Sequence, residues 1–221
     1  MTKLDSFRAA LMANGWFAAR SASVQEGLIA AGRVVALAPG QWVYSQGDPE
    51  TGLCAVLEGT LRLEVAIGDD RDVLIGLARP STIIGQSARR GGGPRLLTVR
   101  ASGAARVLLI SDAALERVAA REPSLWRDLN ELVYAELETL LRFSALLLAQ
   151  RPKARLAWQL TQLATDDVVT ATQADLAELT GVTRKAVNAH LAAFESAGLV
   201  SRGYAHIRVL APDRLRGLAA R

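Results

Sequence analysis

The stretch Thr172–Leu199, TQADLAELTGVTRKAVNAHLAAFESAGL, constrains this chain most, because it reads as two short helices around a tight turn. Thr172 caps the first helix, with Asp175 three residues on in a capping-box position. Leu176 and Leu179 supply a narrow apolar face, and Ala177 is small enough for another helix to cross closely. Gly181 provides the positive φ that a sharp inter-helix turn needs. Thr183 caps the second helix, whose Val187, Leu191 and Phe194 recur at helical spacing and face inward. Its opposite face carries Arg184, Lys185 and Asn188. Donors at the N-terminal end of a second helix are how a helix-turn-helix presents side chains to the major groove. Arg and Lys donate to guanine O6 and N7, Asn pairs with adenine, and the helix N-terminus favours a phosphate. A helical hairpin with a solvated basic face fits the same pattern.

The residues after the motif favour DNA. Gly198-Leu199-Val200 ends the helix, Ser201–Tyr204 reads as a turn, and His206–Leu210 reads as a return strand. A helix-turn-helix followed at once by a β-hairpin is a winged arrangement, which brings Arg202 and Arg208 within reach of phosphates. Thr172, Thr183, Arg184, Lys185, Asn188, Arg202 and Arg208 are therefore the expected DNA-binding set. Charge placement agrees. Residues 1–150 hold 16 Lys/Arg against 16 Asp/Glu, whereas residues 151–221 hold 10 against 6, which is the whole net charge of +4.

The rest of the 221 residues bounds the other classes. No apolar run reaches the length of a membrane span, and the N-terminus lacks the build of a signal peptide, so a cytoplasmic protein is expected. Cys54 is the single cysteine, which rules out an internal disulfide and leaves thiolate-held zinc or iron–sulfur without ligands. Both histidines, His190 and His206, lie in the C-terminal part. A β-roll enzyme of cupin type would therefore lack imidazole ligands in residues 1–150, and no Ser/His/Asp or Cys/His nucleophile arrangement is visible, so no catalytic residue is expected.

Residues 4–31 read as two short helices broken near Asn14-Gly15. From Arg33 the period changes. Strand-like runs are 34–37, 41–44, 53–57, 61–67, 73–77, 95–100 and 106–110, separated by turn signals such as Ala38-Pro39-Gly40, Gln46-Gly47-Asp48-Pro49, Glu58-Gly59 and Gly68-Asp69-Asp70. Such spacing predicts an antiparallel roll or barrel. After Ser111 the helical period returns, with a short helix over 112–120. Ser124 then caps a long helix whose leucines, from Leu125 to Leu148, form a broad apolar stripe. The stripe outruns what one roll needs, so pairing with the same helix of a second subunit is expected, with a single buried helix as the other reading. Arg151-Pro152 marks the break before the C-terminal part. The fold class is α+β: an N-terminal antiparallel β-roll over 1–121, a long dimerisation helix over 122–150, and a winged helix-turn-helix over 151–221.

In this order of parts the chain resembles the cyclic-AMP receptor/fumarate-nitrate regulator (Crp/Fnr) superfamily of bacterial transcription factors. Two segments carry the resemblance. Leu37–Leu63, LAPGQWVYSQGDPETGLCAVLEGTLRL, is similar to the front half of a cyclic-nucleotide-binding jelly roll, with Gly40, Gly47 and Gly59 where that fold turns tightly. Thr172–Val200 is similar to the family's helix-turn-helix. The resemblance implies a homodimer that reads a near-palindromic operator in double-stranded DNA with the 184–197 helix, and RNA polymerase as a candidate further partner. Lys185 stands where many members have a base-reading acid, and Ala189 where a basic residue is common, so no operator can be borrowed.

The resemblance also implies an effector site in the roll, built from Gly85, Gln86, Ser87, Arg95 and Leu96, with Leu140 and Leu141 on the long helix. Gly85 matches a turn and Arg95 the phosphate-binding arginine. Gln86 replaces the carboxylate expected for a ribose hydroxyl, Leu96 replaces a hydroxyl beside the phosphate, and Leu140 and Leu141 match positions that offer hydroxyls to adenine. Each lost partner removes roughly 1–3 kcal/mol, so cyclic AMP is disfavoured. No cofactor is assigned. The roll is left with a cyclic nucleotide or another small anionic or more apolar effector, with no effector at all, or with redox sensing through Cys54, whose place in an alternating strand fits core. A nucleotide-sensing subunit that does not bind DNA is the remaining alternative.

Overall fold

The computed structural model describes residues 3–68, 71–204 and 206–219; Asp69 and Asp70 of the expected Gly68-Asp69-Asp70 turn lie outside them. The chain divides into two units, 1–137 and 138–221.

The first unit opens with three helices, α1 (Lys3–Met12), α2 (Gly15–Ala18) and α3 (Ala22–Ala31), where the sequence predicts two. The extra break arises because Asn14 and Ser21 each accept a backbone N–H as N-caps, from Phe17 and Val24. Eight strands follow: β1 (Arg33–Leu37), β2 (Trp42–Tyr44), β3 (Gly52–Glu58), β4 (Leu61–Ala66), β5 (Asp72–Ala78), β6 (Ile83–Gln86), β7 (Thr98–Ala101) and β8 (Ala105–Ser111). They form two antiparallel four-stranded sheets, ordered β1-β8-β3-β6 and β2-β7-β4-β5. The helix α4 (Asp112–Ala119) and the start of α5 (Leu125–Ala149) complete the unit.

Strand β3 shows why the roll holds together. Six of its seven residues, Gly52–Leu57, are buried, so it reads as a continuous apolar run rather than an alternation. Cys54 and Val56 join Leu61, Val99 and Val107 between the two sheets. Leu53, Ala55 and Leu57 point the other way, into a second core with Leu28, Leu115, Leu125 and Leu129 from the helices. The helical layer is also fastened by polar groups. Trp16 Nε1 donates to the Asp128 carbonyl at 2.6 Å, and Arg20 pairs with the Asp128 carboxylate.

The expected turn at Gly85 is instead strand β6, which pairs with β3 through Leu53–Gly85 and Cys54–Ile84. Gly85 has φ +140° because two backbones pass closely there: a Cβ on it would sit 2.2 Å from the Gly52 carbonyl oxygen. Gly40 and Gly47, by contrast, have positive φ in open turns. Gly85→Ala should therefore destabilise the roll by about 2–4 kcal/mol, against about 1 kcal/mol for Gly40→Ala, where only the backbone conformation is strained. Urea unfolding of both variants checks this. Equal losses at the two positions would contradict the close-approach account.

The second unit holds the rest of α5, then α6 (Pro152–Leu163), β9 (Val168–Val169), α7 (Gln173–Thr180), α8 (Arg184–Ser196), β10 (Val200–Gly203), β11 (His206–Val209) and α9 (Pro212–Ala219). Pro152 opens α6 at a position where its missing N–H costs nothing. The three strands form one sheet, β10-β11-β9. The expected turn over Ser201–Tyr204 is shorter: β10 runs to Gly203, paired with His206. The core of this unit is Leu156, Leu160, Leu176, Leu179, Val187, Leu191, Phe194 and Leu215, all almost fully buried.

Candidate nucleic-acid interface

The helix-turn-helix forms as its residues dictate. Thr172 Oγ1 accepts from Asp175 N at 3.1 Å while Asp175 Oδ2 accepts from Thr172 N, a complete capping box. Gly181 ends α7 at φ 64°, in the left-handed region. Thr183 then caps α8 by accepting from Ala186 N. Val187, Leu191 and Phe194 are fully buried, as are Leu176 and Leu179 of the neighbouring α7. That burial fixes the rotation of α8, so Arg184, Lys185 and Asn188 are left exposed together on its first turns. Thr183, the cap of α8, and Thr172, the cap of α7, are exposed as well. His190 is half-buried on the flank of the same helix.

The wing places its two arginines differently. On β11 the alternation Ile207 in, Arg208 out, Val209 in leaves Arg208 exposed. Arg202 on β10 is engaged by the chain itself: its Nε and Nη2 donate to Glu195 Oε2 at 2.7 Å, and its backbone N donates to Glu195 Oε1 at 2.9 Å. Tyr204, at the tip, is almost wholly exposed.

Five of the seven residues expected to hold an effector lie in the first unit. Gly85, Gln86, Ser87, Arg95 and Leu96 share one region of the roll, whereas Leu140 and Leu141 belong to the second unit and are exposed. Arg95 lies in the loop before β7, outside the strand expected to contain it, because its own N donates to the Asp48 carbonyl and its carbonyl accepts from Gly47. The guanidinium is buried, stacks 3.9 Å from the Tyr44 ring, and donates to the carbonyls of Glu50 and Gly52 at 3.0 and 2.9 Å. Gln86 Nε2 donates to the Gly93 and Pro94 carbonyls. Leu96 points to solvent. Asp112 orders the start of the loop. It accepts from Thr51 Oγ1 at 2.6 Å and from the Arg89 backbone. Burial alone would raise its carboxyl, but hydrogen bonds, those from Thr51 and the Arg89 backbone among them, outweigh it and hold the group below its ordinary value. Arg90 is tied to Glu116 at 2.9 Å and lies over the Trp126 ring.

One residue of this region is absent from the sequence expectations. Glu136, on α5, accepts a hydrogen bond from the Gly85 backbone, while its Oε1 is sealed from solvent with no partner. Burial drives its carboxyl up to about 8 against the opposing pull of that hydrogen bond. Cys54 is fully buried between the sheets, and burial pushes its thiol up to about 12. The thiolate needed for redox chemistry is therefore scarce at neutral pH, which removes support from the redox reading.

Comparison with known proteins places this geometry. Residues 34–122 match the model of the cyclic nucleotide-binding domain, and residues 154–218 match the model of the Crp-like helix-turn-helix domain. The nitrogen fixation regulation protein FixK of Bradyrhizobium diazoefficiens is 30% identical over 200 residues, 86% of this chain and 83% of that protein. The chain belongs to the Crp/Fnr family. It is a Crp/Fnr-type DNA-binding transcription regulator. A CRP-like cAMP-activated global transcriptional regulator of Mycobacterium tuberculosis is 26% identical over 73% of this chain and 76% of its own length. Among solved structures, FixK2 from Bradyrhizobium japonicum superposes with a TM-score of 0.77 at 20% identity, covering 86% of this chain and 98% of that one, which bears on the fold alone. Among the described residues of this Crp/Fnr regulator, no helix is long and apolar enough to cross a membrane.

Proposed function

We propose that this regulator works as a homodimer whose two α8 helices enter successive major grooves of a near-palindromic operator, with half-sites about 34 Å apart. The observation that carries this reading is the exposed set Arg184, Lys185 and Asn188, held at the start of a helix capped by Thr183 and fixed by its buried face, Val187, Leu191 and Phe194. Arg184 and Lys185 donate to guanine, Asn188 pairs with adenine, and Arg208 neutralises phosphate from the wing. Thr183 stands at the N-terminus of α8 and Thr172 at that of α7, two places where a phosphate is favoured. The protein acts in the cytoplasm without catalysis, and RNA polymerase is the further partner that family membership suggests.

Support for the dimer comes from α5. Leu125, Leu129 and Leu132 are buried in the roll, yet Val133, Leu137, Leu140 and Leu147 stay exposed in a single chain. Together with Ser144 they recur at alternating four- and three-residue steps, the seam of a two-stranded coiled coil. Leu140→Asp places a charge in that seam. It should leave the fold intact but produce monomers in sedimentation velocity and weaken operator binding at least about 100-fold, since one half-site is lost.

The roll supports a dimer competent without cyclic AMP. The groups a nucleotide would engage are turned to the chain itself: Arg95 to the Glu50 and Gly52 carbonyls, Gln86 to the Gly93 and Pro94 carbonyls, and the Gly85 N–H to the Glu136 carboxyl. Gel shifts on genomic fragments test both points. A specific complex should form from the purified protein, with affinity unchanged by cyclic AMP; retardation only in its presence would overturn the effector-independent reading.

A further inference from the structure

Helix α8 and the wing are joined by one carboxylate. Glu195 lies in the last turn of α8, and its two oxygens take three donors from a single wing residue, the backbone N, Nε and Nη2 of Arg202. Strand β10 is an edge strand, paired on one side only with β11 through Arg202–Ile207. Its Arg202 N–H would otherwise face solvent unpaired. Glu195 therefore closes the open edge of the wing and fixes the direction of the Arg202 side chain at the same time. Nε and Nη2 share the single oxygen Oε2 in charge-assisted hydrogen bonds, and the resulting ion pair carries no net charge toward a third partner. Arg208, on the neighbouring strand, is exposed.

We propose that Glu195 is the positioning residue of the wing: it sets the hairpin against the reading helix and holds Arg202 away from DNA, leaving Arg208 as the wing's phosphate contact. The expectation that both wing arginines contact phosphate is thereby revised. This inference rests on the reading that the wing meets the DNA backbone.

The salt dependence of binding separates positioning from contact, because each phosphate neutralised adds about 0.9 to the slope of log K against log salt. The full-length protein and the variants Arg202→Ala, Glu195→Gln and Arg208→Ala are titrated by fluorescence anisotropy. The ligand is a duplex that the wild-type protein itself has selected from random sequence. Arg202→Ala should leave the slope unchanged and weaken binding 2- to 10-fold at every salt concentration, because the wing is no longer pinned. Glu195→Gln should steepen the slope, since Arg202 is released as an uncompensated cation. Arg208→Ala should flatten it by about 1.8 for a dimer, two contacts at 0.9 each. Thermal melts of the variants confirm that each is folded. A slope that falls with Arg202→Ala as it does with Arg208→Ala, one that does not respond to Glu195→Gln, or an Arg202→Ala variant that binds as the wild type would each overturn the proposal. If Arg208→Ala changes nothing, the wing does not meet the backbone at all, and the parent reading fails instead.

Discussion

Replacing Arg184 and Lys185 together by alanine should abolish sequence-specific retardation while leaving the fold untouched. Both side chains are exposed at the start of α8, and the buried face that fixes the helix, Val187, Leu191 and Phe194, is not altered. The Thr183 cap, which acts through the Ala186 backbone, also remains. Thermal stability should therefore stay within about 2 °C of the wild type, as surface changes of this kind shift stability by no more than about 0.5 kcal/mol. Binding should respond far more. Each bidentate base contact discriminates by about 1–3 kcal/mol, and a dimer presents both residues twice. The ratio of operator to random-sequence affinity should fall at least about 1,000-fold, leaving weak, salt-sensitive binding. Competition gel shifts with operator and scrambled duplexes give that ratio directly. A double variant that discriminates as the wild type does would put the reading surface elsewhere.

The second large effect concerns stability. Glu136→Gln should make the protein more stable, and increasingly so as pH rises toward 8. A carboxyl whose folded value is raised to about 8 keeps its proton in the folded chain over a range where the unfolded chain has released it. Stability is then present in full below the ordinary carboxylate value, falls as pH rises from about 4.5 to about 8, and levels off above that. Over that window the loss is on the order of 3–5 kcal/mol. Glutamine keeps an acceptor for the Gly85 N–H and carries no charge, so this contribution to the slope should vanish in the variant. Urea unfolding at pH 5, 7 and 9 checks it. The two proteins should agree near pH 5 and diverge upward. Parallel curves across the range would show that Glu136 is ionised in the folded state at little cost.

How local each feature is decides whether the sequence makes it legible. The helix-turn-helix is determined by neighbours three to eight residues apart: Thr172 with Asp175, Gly181 at the turn, and Thr183 with Ala186. Caps and helical spacing carry such features completely. Cys54 could be placed in the core from its position in a strand that reads as alternating, although the sequence did not show that β3 is covered on both faces. Strand β6 was missed because Gly85 reads locally as punctuation. Its reason is a crossing with Gly52, 33 positions away in sequence, which only the register of β3 and β6 creates. Arg95 was identified, but not that it turns toward the Glu50 and Gly52 carbonyls. Glu136 did carry a signal. It continues the buried face of α5 that runs through Leu125, Leu129 and Leu132 at helical spacing, so an acid there predicts a carboxyl pushed into the roll. The Glu195–Arg202 pairing left none, because it depends on the angle between a helix end and a hairpin.

The account stands or falls on two chains acting as one reader, and sedimentation velocity of the protein with a labelled operator duplex measures that most directly. It predicts a dimer in the absence of DNA and a complex of two chains per duplex, lost when the spacing between half-sites is changed by five base pairs. A single chain bound per duplex, insensitive to that spacing, would contradict it.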